Sequence, residues 1–271
     1  MFRRSALLLL AAGLCLPLTG CIVGLDTKEQ VTTIPVPHVS GSGLKVTTRN
    51  GHIHVKKSDG SDIQIVATLR MVSDERLHGT TISANRDGSG VLIIEATPPD
   101  GGWKSSEGCA FDISIPDAKD VTLKSSNGSI VAVGLSGQAE LDSSNGSITA
   151  ASHNGPIRAK TSNGRIDVSA AAGSVRCSTS NGAVKVSLAG PGPAEIHTSN
   201  GSITLEVGKG FVGTIAAKTS NGSISTPSAA PGYPSLDVQR ENKHRAKVSL
   251  GSGPVSELET SNGSVTINLA D

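Results

Sequence analysis

The chain has 271 residues, with 24 lysines and arginines against 23 aspartates and glutamates, a formal charge of +1. A balance this close to zero excludes binding to a polyanion through net charge, so nucleic acid is not an expected partner. With 2% aromatic residues and 32 glycines, a core has to be thin and built from Val, Ile, Leu and Ala.

Residues 1–20 read as a secretory signal: Arg3 and Arg4, an apolar run too short to remain as a spanning helix, then small residues before a cysteine. The tetrad Leu18-Thr19-Gly20-Cys21 resembles the lipobox of bacterial lipoproteins. That resemblance implies cleavage before Cys21 and acylation of Cys21. With Ile22 rather than aspartate next, it also implies an exported protein anchored at the outer membrane of the cell envelope, its periplasmic or surface face left open. The membrane is then a partner through buried lipid methylenes, and residues 21–39 read as a lipidated tether. Cleavage takes Arg3 and Arg4 from the 24 basic residues and none of the 23 acidic ones, a mature balance of about −1. Cys15 leaves with the signal and Cys21 carries the lipid. Cys109 and Cys177 remain, too few for a disulfide framework.

From residue 40 to 271 the chain repeats itself. Asn-Gly recurs at Asn127-Gly128, Asn145-Gly146, Asn163-Gly164, Asn181-Gly182, Asn200-Gly201, Asn221-Gly222 and Asn262-Gly263, at steps of 18, 18, 18, 19, 21 and 41. Asn242-Lys243 divides the last step into 21 and 20 and reads as a degenerate corner. Upstream, Glu107-Gly108 and Asp87-Gly88 continue the repeat in steps of 20, and Asn50-Gly51 carries the same phrase near the start. Apolar residues sit four before the asparagine and three and usually five after it, as at Leu141, Ile148 and Ala150, the alternation of short half-buried strands around a turn. Asn and Gly tolerate positive φ at low cost, so each pair reads as a turn by that mechanism.

A meander of type I′ hairpins would fit the local alternation. It has no reason to hold one phrase at a constant phase over rungs of about 18–21 residues, whereas a stacked parallel coil places each residue on its own equivalent. The fold expected is therefore all-β, a β-solenoid. Seven steps from Asn127 to Asn262, at about 4.8 Å each, give a segment about 34 Å long. The serines and threonines before each corner read as ladder residues. A half-period at His153-Asn154-Gly155 and Ala172-Gly173 places turns on two edges of the rung. Residues 40–116 read as irregular first rungs with longer loops and 117–271 as regular rungs, with the proline-rich stretch at 227–235 bulging outward.

The repeated SNGSI phrase, following the Ile-Pro-Asp strand end in FDISIPDAKDVTLKSSNGSIVA, resembles the bacterial family of putative adhesins of unknown biochemical function. It is similar also to the GIN head domain of auto-transporter adhesins, over roughly residues 40–271. The resemblance implies a single-stranded, right-handed parallel β-helix of pectate-lyase-like architecture at the cell envelope. It brings no catalytic residues with it.

Calcium needs six to eight oxygen ligands, and Asp142 and Asp167 do not recur at one phase, so a calcium roll is not expected. Glycan cleavage needs two carboxylates, or a base with a metal, in one groove. The acids Asp112, Glu140, Glu195, Glu206, Glu257 and Glu259 read as scattered along the rod. His52 and His54 share one strand face at metal-ligand spacing, but the sequence offers no third ligand, so neither metal nor cofactor is expected. His153 and His197 lie near turns and read as solvent-facing. The cluster Arg240, Lys243, His244, Arg245 and Lys247 interrupts the Asn-Gly series with charge, a candidate patch for a protein or glycan ligand beside the reading of a solvated loop. Cys109 and Cys177 lie at least three rungs, about 14 Å, apart and are expected to stay unpaired. The C-terminal strand lacks a visible cap, which leaves self-association through the solenoid ends open.

These readings converge on a lipid-anchored envelope protein whose rod is a non-enzymatic, adhesin-like binding surface. Two alternatives stay open: a carbohydrate-active enzyme on a pectate-lyase-like scaffold, and an accessory lipoprotein with a dedicated protein partner.

Overall fold

The computed structural model describes residues 27–227 and 236–270. Cys21, the signal segment and residues 228–235 of the proline-rich stretch lie outside the described residues. The rest is all-β, two long sheets of mostly parallel strands with one short helix, Asp74–Gly79. Each rung contributes one strand to each sheet, and we name rungs by their corner asparagine.

The regular stack is built from the Asn127 rung (Val121–Ser125, Ile130–Val133), the Asn145 rung (Ala139–Ser143, Ile148–Ala151), the Asn163 rung (Ile157–Thr161, Ile166–Ala171), the Asn181 rung (Val175–Thr179, Val184–Leu188) and the Asn200 rung (Ala194–Thr198, Ile203–Val207). The registers are in phase, so Ile53, Ile130, Ile148, Ile166, Val184 and Ile203 form one buried column. A second column in the opposite sheet runs Val46, Leu123, Leu141, Ala159, Cys177, Ile196 and Leu258. The alternation in sequence thus becomes a dry interior two side chains thick, at about 1.5–3 kcal/mol for each large aliphatic buried.

Chain order fails at both ends of the stack. The Asn50 rung (Leu44–Thr48, Ile53–Lys57) lies between the Asn127 rung and the rung of Glu107, made of Leu92–Thr97 and Gly108–Ile115. The last rung in sequence, that of Asn262 (Val255–Asn262, Val265–Leu269), inserts between the Asn200 rung and that of Asn221 (Thr214–Asn221, Ile224–Ser225). Asn242 is not a corner. The step of 41 contains an antiparallel hairpin, Leu236–Asn242 with Arg245–Leu250, laid on the Asn221 rung. Asp87-Gly88 is likewise the turn of a hairpin, Thr81–Arg86 with Leu92–Thr97. Ile63–Met71 runs antiparallel to Gly108–Ile115, and Lys28–Val36, within the span read as a tether, pairs antiparallel with Ile63–Met71 along all its nine residues. The C-terminal strand is therefore interior to its sheet. The physical reason is the stack's ends: parallel strands there present free N–H and C=O rows, which antiparallel strands cover at three of the four sheet edges among the described residues, the fourth being the two-residue strand Ile224–Ser225.

The corners are held by three interactions repeated rung on rung. Asparagine side chains form one donor-to-acceptor chain, each Nδ2 donating to the Oδ1 of the rung before: Asn127 to Asn50 at 2.5 Å, Asn145 to Asn127 and Asn163 to Asn145 at 2.7 Å, and onward through Asn181, Asn200, Asn262 and Asn221 at 2.9 Å. Seven steps at about 4.8 Å span about 34 Å, but they run from Asn50 to Asn221. The hydroxyl two residues before each asparagine is buried and donates to a carbonyl of the rung below, a glycine's as in Thr161 Oγ1 to Gly146 O at 3.0 Å, except at Asn50, where Thr48 Oγ1 donates to Cys109 O at 2.6 Å. The third element is the glycine. The corner glycines are outside the positive-φ region, so the turn mechanism expected for them does not operate. They are glycine because a Cβ on Gly146 would lie 1.8 Å from Gly128 O. On the opposite edge Gly137, Gly155, Gly173 and Gly192 stack in the same manner, the half-period seen in sequence.

An asparagine ladder needs a donor and an acceptor on every side chain. Asn163→Asp keeps the shape but removes the donation to Asn145, and is expected to destabilise by about 1 kcal/mol, read as a lowered urea midpoint.

Candidate functional site

In a strand with one face buried, the other face displays alternate residues, and parallel stacking lines these up along the rod. On the sheet that carries Val121–Ser125 one such row is Lys45, Thr122, Glu140, Arg158, Arg176, Glu195, Glu257, Ala216 and Lys247. The neighbouring row is Thr47, Lys124, Asp142, Lys160, Ser178, His197, Glu259, Lys218 and Arg245. Both rows mix signs, and the charges pair: Lys124 Nζ with Glu140 at 3.1 Å, Lys218 Nζ with Glu259 at 2.8 Å, and Arg176 with Glu195. His197 lies between Glu195 and Glu259, 3.4 and 3.7 Å from their nearest oxygens, on the surface as expected.

Three shallow depressions follow this face. The first, about 240 Å³, is lined by Asp120, Thr122, Gln138 and Glu140. The second, about 490 Å³, shares Gln138 and includes Arg158, Arg176, Glu195 and Glu257. The third, about 400 Å³, shares Glu257 and includes His197, Lys218, Arg245, Lys247 and Glu259. From Val121–Ser125 to Arg245–Leu250 they cross seven strand steps, about 34 Å.

Of the basic cluster singled out in sequence, Arg245 and Lys247 project into the third depression. The Arg240 guanidinium instead donates to Ile224 O at 2.9 Å and Thr226 Oγ1 at 3.2 Å, which ties its hairpin to the stack. Lys243 and His244 occupy the hairpin turn, where Asn242 Oδ1 accepts from the His244 N–H at 2.8 Å. The cluster is thus divided between a structural clamp and one end of a groove.

The acids are less scattered than sequence order suggested. Insertion of the Asn262 rung sets Glu257 beside Glu195 and Glu259 beside His197. A hydrogen bond from Lys218 holds Glu259 below the usual carboxylate range, the opposite of what a general acid needs. Glu206 lies on the other sheet, opposite Asn268.

On that other sheet, His52 and His54 flank the buried Ile53 and meet Asp112 of the adjacent Glu107 rung. His52 Nε2 is 3.0 Å from Asp112 Oδ2 and His54 Nδ1 is 3.1 Å from Asp112 Oδ1. The two rings stack with centroids 4.2 Å apart. Sequence order missed this partner because residues 51–126 separate the Asn50 and Asn127 corners, hiding which rung lies on the other side of Asn50. Aligning GCAFDI with NGHIHV on apolar alternation, Phe111 over Ile53, is the signal that pairs them.

His153, expected at the surface, is 2% exposed. Its Nε2 meets Gly137 O at 2.9 Å across the second corner, and burial lowers its pKa. Cys109 and Cys177 are free and buried in opposite sheets, and burial pushes both thiols up to about 12, which makes them inert packing residues.

No protein-family model and no curated protein sequence matches the chain. Solved bacterial structures match across most of its length at low identity. A putative cell adhesion protein from Clostridium sporogenes ATCC 15579 is 12% identical over 90% of this chain and 100% of that one, with a TM-score of 0.39. A putative adhesin from Bacteroides fragilis NCTC 9343 is 12% identical over 89% and 97%, with a TM-score of 0.37. A putative lipid binding protein from Parabacteroides distasonis ATCC 8503 is 11% identical over 90% and 97%, with a TM-score of 0.34.

Proposed function

We propose that the chain is a lipid-anchored cell-envelope protein whose rod is a non-enzymatic, adhesin-like binding surface, and that the charged sheet face takes an extended polypeptide of mixed charge. The observation that carries this reading is the run of three adjoining depressions along the stack axis. A groove parallel to the rod and about 34 Å long suits a chain-like ligand. Mixed signs suit a partner that can answer both, and an extended peptide offers this where a polyanion does not. None of the three linings contains Phe, Tyr or Trp, the flat faces on which sugar rings stack. Anchoring rests on the tetrad ending at Cys21.

The test uses envelope proteins retained on the immobilised chain, quantified by mass spectrometry. Arg158→Glu with Arg176→Glu is expected to lower retention of the bound protein roughly tenfold or more. Lys185→Glu, on the opposite sheet, is expected to leave it unchanged. Equal effects from both variants, or none from either, would discard this face. Cys21→Ser is expected to abolish metabolic labelling by fatty acid and release the protein from the membrane fraction; continued labelling would remove the anchor from the proposal.

A further inference from the structure

We propose that His52, His54 and Asp112 form a binding site for one divalent transition-metal ion, of which zinc is the representative. Their donor atoms, two imidazole nitrogens and a carboxylate oxygen, all lie within 4.8 Å of one another. The nitrogen–oxygen separations of 3.0 and 3.1 Å are close to the spacing of about 3.3 Å between ligands that a tetrahedral ion sets with bonds of 2.0–2.1 Å. Imidazole with carboxylate is a donor set for zinc, iron or nickel, and is unsuited to calcium or magnesium, which take oxygen.

The site is built on rigid elements. His54 and Asp112 are register partners in a parallel ladder, and Ile53 and Phe111 beside them are fully buried. The side chains above are 37%, 42% and 48% exposed, open enough for an ion to enter. Among the described residues no lysine or arginine pairs with Asp112. That separates it from the histidine–carboxylate cluster at His197, where Arg176 and Lys218 already neutralise Glu195 and Glu259.

Without metal, the two rings donate to the two carboxylate oxygens. To bind metal, each ring shifts its proton to the other nitrogen, His52 Nδ1 and His54 Nε2, neither of which has a protein hydrogen bond among the described residues. The exchange therefore breaks no further contact. Three protein donors leave at least one coordination position for water or an incoming ligand. A depression of about 410 Å³ adjoins the site, lined by Gln64, Val66, Ser114, Val131 and Val133 as well as His54 and Asp112. The metal would sit on the sheet opposite the charged groove, so the inference is independent of the proposed ligand face.

Isothermal titration of zinc alone into the full chain is expected to give one saturable site per chain. His54→Ala and Asp112→Asn are each expected to weaken it at least about tenfold, while His197→Ala leaves it unchanged. Melting of each variant without metal checks folding, and His52→Gln replaces any variant that does not fold. With copper alone, electron paramagnetic resonance is expected to show coupling to two imidazole nitrogens, reduced to one in His54→Ala. Absence of saturable zinc binding, or retention of it in Asp112→Asn and His54→Ala, would overturn the proposal, as would its loss in His197→Ala.

Discussion

Gly146→Ala is expected to lower the melting temperature of the rod by roughly 6–12 °C. The added Cβ would stand 1.8 Å from Gly128 O and 2.3 Å from Gly128 C, both backbone atoms of the rung below. No rotamer relieves a Cβ clash, because the atom's position is set by the main chain. The carbonyl is not free to swing either, since Ser143 Oγ donates to it at 3.0 Å and Ser143–Gly146 closes locally through the Gly146 N–H to the same hydroxyl at 2.9 Å. The two rungs have to separate at that corner, a cost of roughly 3 kcal/mol by comparison with overpacked cores, which for a domain of this size gives the shift stated. Gly88→Ala is the control, with nothing within 4 Å of the new carbon, and its effect is expected to stay within about 0.5 kcal/mol. Thermal unfolding followed by circular dichroism compares them; equal melting temperatures would show that rung contact is not what requires glycine at the corner.

Glu107→Gln is expected to be as damaging for a different reason. Glu107 is 0% exposed and accepts from Arg76 Nε at 2.6 Å, Arg76 Nη2 at 2.7 Å, the Lys104 N–H at 2.9 Å and the Val72 N–H at 3.4 Å. It binds the Asp74–Gly79 helix and the loop at 99–104 onto the end of the stack. The amide leaves the guanidinium without its counter-charge, and removing one partner of a buried pair costs roughly 3 kcal/mol. The pair also makes stability depend on acid. Hydrogen bonds from Arg76 first, then from the backbone, bring the Glu107 pKa down from 4.5 to about 2 against the opposing effect of burial. A depressed folded pKa means the folded state holds its proton less tightly, so the contribution is complete above the unfolded value and falls away as pH drops through the folded one. The melting difference between the native chain and Glu107→Gln is therefore expected to be constant above about pH 4.5 and to shrink toward pH 2. A difference that does not change across that window would mean the carboxylate is not the titrating group.

Glu107 also shows how far a repeat can be read. Its Gly108 does not stack as the other corner glycines do: it lies over Asn50, with a Cβ 1.9 Å from Asn50 O, while Gly51 lies over Cys109. With Ile53 paired to Phe111 the corner expected at Glu107-Gly108 is one residue out of phase, although Asn50 Nδ2 extends the ladder to Glu107 O at 2.6 Å. The side chain at that position is not legible: it turns inward to Arg76, thirty-one residues earlier, a partner with no periodic relation to it. The same division applies to the candidate sites. Arg245 and Lys247 were visible as charge breaking a pattern. That Glu257 adjoins Glu195 was hidden because the contact joins rungs that are not successive in the chain, and that Asp112 adjoins His54 was hidden because antiparallel strands and a helix lie between their two rungs in sequence.

Sequence alone determined the local geometry of this protein. Period, alternation and the Asn-Gly phrase specify a stacked, two-edged β rung, because parallel stacking places like upon like and rewards repetition at every step. It also specified which residues form the ladder. Only the tertiary structure decided the order of the rungs. All the Asn-Gly corners present the same asparagine, hydroxyl and glycine, so any of these rungs fits on any other, and nothing in the phrase says which is next. The ends decide it: antiparallel strands cover three of the four sheet edges among the described residues, the first and last rungs lie between others, and the stacking at the two ends assembles His52, His54 and Asp112 on one face and Glu195, Glu257 and Glu259 on the other.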